Sequence, residues 1–352
     1  MIRWLGKKNA SPIGIDLGDR SVKLVQFSGD GSRLVESARW DLPPAPAEQP
    51  PGSLGQRWTE AIKRALHGRR FQGREAVVCL SNRRLFLQNI RLPKVEDDVL
   101  GRLVQQEAAS RIPFPIAEAE IRYLAAAEVR QGDAVMREVI LMACHRPLLE
   151  EMLHAVEGAK LRPVAVDVEP LAMMRASVRQ FRRDEDHMQR VMFVHVGLTK
   201  TMVVISQGND VLFIKYIDVG GGQMDRAVAR SLGLTLSDAV SLRRHNGDRR
   251  SDQQDPELTR GIVEAVREVI DHLGQELSMC IRYHSVTFRG KPIARLLLGG
   301  GEASSQLADT LTERLNLKCE LSDPFRSLAE GRAPSRPGQW DIAAGLAAKL
   351  LP

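Results

Sequence analysis

Two stretches of this chain, far apart in sequence, repeat one pattern, and that repetition limits its fold more than any single motif. Near the N-terminus three apolar runs, Ile13 to Leu17, Val22 to Phe27 and Leu34 to Leu42, are separated by Gly18-Asp19-Arg20 and Gly29-Asp30-Gly31. Runs this short, broken by residues that tolerate positive φ, read as strands joined by tight turns. Halfway along, Val191 to Val196 closes at Gly197. Met202 to Ile205, a turn at Gln207-Gly208-Asn209-Asp210 and Val211 to Val219 then follow in the same order. A duplicated meander predicts two related lobes facing one another. The length, 352 residues, also exceeds what one hydrophobic core usually organises.

Between the copies, Leu85 to Leu92 reads as a strand ended by Pro93. Glu96 to Ile112 then carries Val99, Leu100, Leu103, Val104, Ala108 and Ile112 at one-sided helical spacing. Acids at 96–98 suit the positive end of the helix dipole, and Pro113 and Pro115 stop the helix. A strand pair, Ile121 to Val129 and Val135 to Ala143, turns at Gln131-Gly132-Asp133. A helix from Pro147 to Ala159 leads into Pro163 to Val168. The expected organisation is a first lobe over 10–185 with a small insert at about 83–163, and a second lobe over 186–352. The last helix, at about 340–351, returns toward the first lobe. Surface loops are expected at Pro43 to Gly55, Arg179 to Arg190, His245 to Pro256 and Gly331 to Gly338, each rich in Pro, Gly or charge.

Composition excludes several classes. Hydrophobic residues at 43% and charged residues at 27% fit a folded soluble protein, and aromatics at 5% are too few for a base-stacking surface. The net charge of +6 comes from arginines scattered along the chain, which reads as a solvated surface, so no nucleic-acid partner is expected. Cys79, Cys144, Cys280 and Cys319 form no Cys-x-x-Cys pair and fit reduced cytoplasmic thiols. No run is long enough to cross a bilayer, and Met1 to Lys8 lacks the apolar core of a signal peptide. Trp4 and Leu5 beside Arg3, Lys7 and Lys8 fit either a frayed terminus or a segment touching a membrane or partner.

Three glycine-bearing turns sit at predicted strand ends. Asp16-Leu17-Gly18 combines a carboxylate able to hold a hydrated Mg²⁺ with a glycine that lets backbone amides approach a phosphate, and Lys23 follows in the next strand. Gly220-Gly221-Gly222 precedes a helix from Met224 to Leu232 that stops at Gly233. Leu296 to Leu298 runs into Gly299-Gly300-Gly301 and a helix expected from near Glu302. None matches the dinucleotide fingerprint or a Walker loop. Singly, Asp16-Leu17-Gly18 fits an ordinary hairpin turn better, and Gly299-Gly300-Gly301 a packed turn as well as a ligand loop; together the three suggest a cleft between lobes.

With these residues in view, the chain resembles the actin, Hsp70 and sugar-kinase superfamily. The two phosphate loops would fall at Ile15 to Lys23 and His195 to Thr201. The connecting helices would fall at Val166 to Ala176 and Ala343 to Ala348, and the adenosine loop at Leu297 to Ala303. Four further stretches narrow the likeness: Gly14-Ile15-Asp16-Leu17-Gly18 with Val22-Lys23, Gln106-Glu107-Ala108-Ala109 leading to Ile112-Pro113-Phe114-Pro115, Val166-Asp167-Val168-Glu169, and Gly233-Leu234 with Leu236-Ser237-Asp238-Ala239. On these the chain is, within that superfamily, most similar to the PilM family of type IV pilus assembly proteins.

The resemblance implies an α/β, two-lobed actin-like ATPase fold, with duplicated ribonuclease H-like lobes and the small insert subdomain of PilM and FtsA. It implies ATP and Mg²⁺ in the cleft, Asp16 toward the metal, and a nucleotide site drawn from Asp16, Gly18, Lys23, Gly197, Thr199, Gly220, Gly221, Arg243, Gly299, Gly300 and Gly301. Asp167 and Glu169 become candidates to orient an attacking water. It further implies a cytoplasmic scaffold that grips the N-terminal cytoplasmic segment of the inner-membrane protein PilN, between the first lobe and the insert, and so associates with the membrane through that partner. An exposed apolar groove near Leu85 to Leu92 would suit an extended peptide. Departures weigh against turnover: His195 stands where the family has an acid, Asp19 where a hydroxyl is common, Val240 where a glutamate holds the ribose, and Arg243 replaces a lysine. An active ATPase and an FtsA-like division protein stay open as alternatives, although the chain ends at Leu350-Leu351-Pro352 without FtsA's amphipathic tail. The cytoplasmic part of GspL is related in shape but continues into a membrane span.

Overall fold

A computed structural model describes residues 9–43, 53–131, 134–181, 183–248, 255–288, 291–329 and 333–351. The segment Met1 to Lys8, the Gly132-Asp133 turn and much of the expected loops lie outside the described residues. The N-terminal meander is β1 (Ile13–Leu17), β2 (Ser21–Phe27) and β3 (Leu34–Asp41), followed by α1 (Ser53–Leu66) and β4 (Glu75–Leu80). Next come β5 (Phe86–Pro93), α2 (Asp97–Arg111), β6 (Ala119–Gln131), β7 (Ala134–His145), α3 (Arg146–Gly158), β8 (Arg162–Val168) and α4 (Glu169–Val178). After α5 (Asp184–Met188) the meander returns as β9 (Arg190–Val196), β10 (Thr201–Gln207) and β11 (Asp210–Ile217). The chain continues through α6 (Gly221–Leu232), α7 (Leu236–Asp248), α8 (Pro256–Thr287), β12 (Ile293–Gly299), α9 (Ser305–Leu315), β13 (Cys319–Leu321) and α10 (Asp341–Ala347).

The duplication is visible in the sheets. One has the order β3-β2-β1-β4-β8, the other β11-β10-β9-β12-β13. In both, a three-strand antiparallel meander supplies a central strand, β1 or β9, whose other edge pairs in parallel with the next strand. A central strand covered on both faces is expected to be largely apolar, and β1 is buried at every residue, with Asp16, paired to Lys23, its one charged member. Parallel pairing needs long crossovers, and these carry α1, then the insert and α3, in the first lobe, and α6, α7 and α8, then α9, in the second; α4 and α5 link the two sheets and α10 follows the last strand.

The insert is a three-stranded antiparallel sheet, β5-β7-β6, backed by α2. Leu100, Val104 and Ala108 form the buried face of α2, packed with Ile90, Leu92 and Leu141. The helix α3 lies against α1 and β8. Beyond its own core, the insert touches the second lobe. Asn89 Nδ2 donates to the carbonyl of Ile214 at 2.7 Å. Glu138, 1% exposed, accepts from Arg91 Nε at 2.9 Å and from the Tyr283 hydroxyl on α8.

Strand β5 corrects one expectation. Leu85, Ile90 and Leu92 are buried, Phe86 and Leu87 half-buried, and the strand lies beside β11. No exposed apolar groove runs along Leu85 to Leu92, because its side chains fill the insert and first-lobe cores. Smaller differences have local causes. The chain near 179–190 contains α5. The last helix spans Asp341–Ala347, shorter than 340–351. The helix expected from Glu302 begins at Ser305, because the Ser304 hydroxyl caps it by accepting from Leu307 N.

The helix α10 packs on β1, β2 and α4. Two glycines make this possible. A methyl on Gly14 would overlap the carbonyl of Ala343 and the amide of Ala347. One on Gly345 would overlap the carbonyl of Ala172.

Candidate functional site

The carboxyl ends of β1, β9 and β12 point into a cleft of about 1060 Å³ between the two sheets, the usual place for ligands in open α/β sheets. Asp16, Gly18, Lys23, Glu169, Gly197, Arg243 and Gly301 all line it. Asp16 and Lys23 face each other across the β1–β2 register, and Lys23 Nζ donates to Asp16 Oδ2 at 2.8 Å, both residues buried. A Cβ on Gly18 would come within 3.0 Å of the Ser21 carbonyl, and one on Gly197 within 3.0 Å of the Lys200 carbonyl. The two meanders thus repeat the same constricted turn.

The other predicted residues take different places. The Thr199 hydroxyl donates to Asp19 Oδ2 at 2.9 Å and so joins the two turns across the cleft. Gly220 and Gly221 sit behind the Gly197 turn: Gly221 N donates to Gly197 O at 2.9 Å, and Gly222 N to Leu198 O at 2.8 Å. A Cβ on Gly220 would lie 2.6 Å from the Leu198 carbonyl, and one on Gly221 would strike the Glu302 carboxylate. Gly299 similarly leaves room for Asp341, and Gly300, at φ 94°, packs against the backbone of Val196. These glycines let protein segments approach one another. Asp167 is held by Arg175 at 2.9 Å and Lys349 at 3.1 Å and does not line the cleft.

Glu169 begins α4 and does face the cleft, with its Oε2 accepting from Asn82 N at 2.9 Å. Burial, then the nearby negative charge of Asp16, push its pKa up to about 8, despite the opposing charge of His195. His195 presents Nδ1 to Asp341 Oδ2 at 2.8 Å. Burial pulls its pKa down, but the charge and hydrogen bond of Asp341, with Glu169 adding to them, more than offset this and raise it. The histidine is therefore held by the buried Asp341 in a part-buried hydrogen-bonded pair.

Sequence reading singled out Arg243 but missed the charge network to which it belongs. Arg20 of the first lobe reaches Asp225 on α6 and Glu302 in the turn after β12. Arg243 on α7 reaches the same two acids, through Nε to Asp225 Oδ1 at 2.8 Å. The four charges alternate in sign, and Arg243 is stabilised in its charged form. Asp225 lies mid-helix and Glu302 was placed at a helix start; neither has a local sequence signature. Asn82 and Asp341 were missed for the same reason. Val240, half-buried on α7, supplies no carboxylate.

A hydrated Mg²⁺ needs oxygen donors free to hold it or its waters. Here Asp16 is engaged by Lys23, Asp19 by Thr199, and position 195 is a histidine tied to Asp341. The residues present do not fit a Mg²⁺ site.

A family model described as "Type IV pilus assembly protein PilM" matches residues 14–347. Among solved structures, the "PilM-PilN type IV pilus biogenesis complex" is similar at 26% identity with TM-score 0.77, over 96% of this chain and 98% of that one. The ethanolamine utilization protein EutJ from Carboxydothermus hydrogenoformans is similar at 15% identity with TM-score 0.56, over 96% of this chain and 89% of that one, a likeness of fold alone. The duplicated sheets are those of the two-lobed actin-like fold. The match spans both lobes and the insert, so the chain belongs to the family of type IV pilus assembly protein PilM.

Proposed function

We propose that this chain is a pilus-assembly scaffold that binds the N-terminal cytoplasmic segment of the inner-membrane protein PilN, and that it works at the cytoplasmic face of that membrane through this partner. The observation that carries the reading is its likeness to the PilM–PilN complex over nearly its whole length. The described helices include none long and apolar enough to cross a membrane, which is consistent with attachment through a partner. The insert, packed on both lobes, offers a boundary with the first lobe at which an extended segment would sit. A synthetic peptide of the N-terminal PilN segment is expected to bind the folded full-length chain at micromolar concentration in a pull-down or by calorimetry. Absence of binding, with the protein shown to be folded, would overturn the reading.

The cleft, in the same reading, takes a nucleotide as a structural ligand rather than a substrate. Asp167 is turned toward Arg175 and Lys349, Glu169 is a proton-bearing acid at neutral pH, and His195 is paired. Neither candidate, Asp167 nor Glu169, is thereby left as a charged base facing the cleft to activate a water. Rapid Mg²⁺-dependent ATP hydrolysis, abolished by Asp16→Ala, would restore the enzyme reading.

A further inference from the structure

The misfit to Mg²⁺ has a counterpart in the cations of the same cleft. We propose that the cleft binds a nucleoside triphosphate without a divalent ion, its phosphate charge met by guanidinium groups, with Arg244 as the uncommitted one. The proposal rests on the reading that the cleft takes a nucleotide.

Arg20, Arg39 and Arg244 all line the cleft, one from each of three elements: the β1–β2 turn, β3 and α7. Arg20 is engaged by Asp225 and Glu302. Arg39 is engaged by Asp41 and Gln339. Arg244, half-buried, makes no ion pair among the described residues. Burial first, then the like charges of Arg20 and Arg39, act against its charged form, while Asp41 and Glu302 support it from a distance. A half-buried cation crowded by two others is costly unless an anion completes the group. Guanidinium groups meet phosphate oxygens with paired hydrogen bonds.

Lys23 lies beneath the Gly18 turn with Asp16 holding it in place. That carboxylate therefore orients a cation for the phosphates instead of serving a metal. The far end of the cleft supplies the remaining specificity. Ile262, Val266 and Ile270 of α8, with Leu307, give it an apolar wall that suits a base and not a bare polyphosphate chain.

The test is a fluorescence anisotropy titration of the full-length chain with N-methylanthraniloyl-ATP, once in excess EDTA and once in excess MgCl₂. Binding in EDTA is expected to equal or exceed that in MgCl₂. Arg244→Ala is expected to weaken binding in EDTA by about tenfold, as loss of a charge-assisted hydrogen bond to phosphate should. Its thermal midpoint should stay unchanged, because Arg244 gives up no ion pair. Binding that is more than about tenfold weaker in EDTA than in MgCl₂ overturns the proposal. An unchanged affinity in Arg244→Ala overturns it as well. If the probe binds in neither condition, the nucleotide reading itself falls, while capture of the PilN segment, measured separately, still decides the scaffold.

Discussion

Alanine at position 345 is expected to destabilise the protein by about 3 kcal/mol, the upper range for forcing atoms into a packed interior. In an ordinary helix interior the same change would help, since glycine is worse than alanine there by about 1 kcal/mol. Here a methyl would sit 3.0 Å from Ala172 Cα and overlap the carbonyl of Ala172, all backbone atoms of α4. Backbone cannot rotate aside as a long side chain can, so steric overlap outweighs helix propensity. On the opposite side of α10, Gly14 of β1 meets Ala343 and Ala347 just as closely, which prevents the helix from backing away. Urea unfolding of Gly345→Ala measures the sign. A variant as stable as the parent, or more so, would mean that α4 and α10 do not cross at this distance.

Glu169→Gln is expected to change how stability depends on pH. The folded-state pKa of about 8 lies above the ordinary 4.5 because burial, and then Asp16, oppose the charged form. Between those values the folded protein holds a proton that the unfolded chain has released, so the contribution of Glu169 falls as pH rises through this window and levels off above it. The full difference is on the order of 5 kcal/mol, at about 1.4 kcal/mol per unit. His195 adds a loss of the same sign: its raised pKa gives stability that is fully present below 6.5 and disappears as pH climbs through the folded value. The glutamine variant keeps an oxygen for the Asn82 amide and removes the ionisation. Its unfolding free energy should overtake that of the parent toward alkaline pH. Parallel stability curves for the two proteins from pH 5 to pH 9 would contradict the assignment.

Much of this architecture could be read from the chain because it depends on local pattern. Apolar runs closed by Gly18 and Gly197 gave both meanders, and the spacing of Leu100, Val104 and Ala108 gave the insert helix. The family followed from the order of these pieces, and its match over 14–347 sets aside the FtsA-like and GspL-like alternatives. The site was less legible. Glycine marks a close approach but does not say what approaches: Gly220, Gly221, Gly299 and Gly300 accommodate Leu198, Glu302, Asp341 and Val196. Charge partners more than a hundred residues apart, such as Arg20 with Asp225 or His195 with Asp341, leave no trace in spacing. The exposed groove at Leu85 to Leu92 failed because an apolar strand gives no sign of which bodies will cover it.

The contact between the insert and α8 has a mechanical consequence. This helix has 32 residues, so it spans about 48 Å. Ile262, Val266 and Ile270, in its first half, form the apolar wall of the cleft. Near its other end, Tyr283 bonds Glu138 and Thr287 accepts from Arg91, both partners on the insert. One helix thus joins the wall of the cleft to the insert, so a change in its tilt would bear on both.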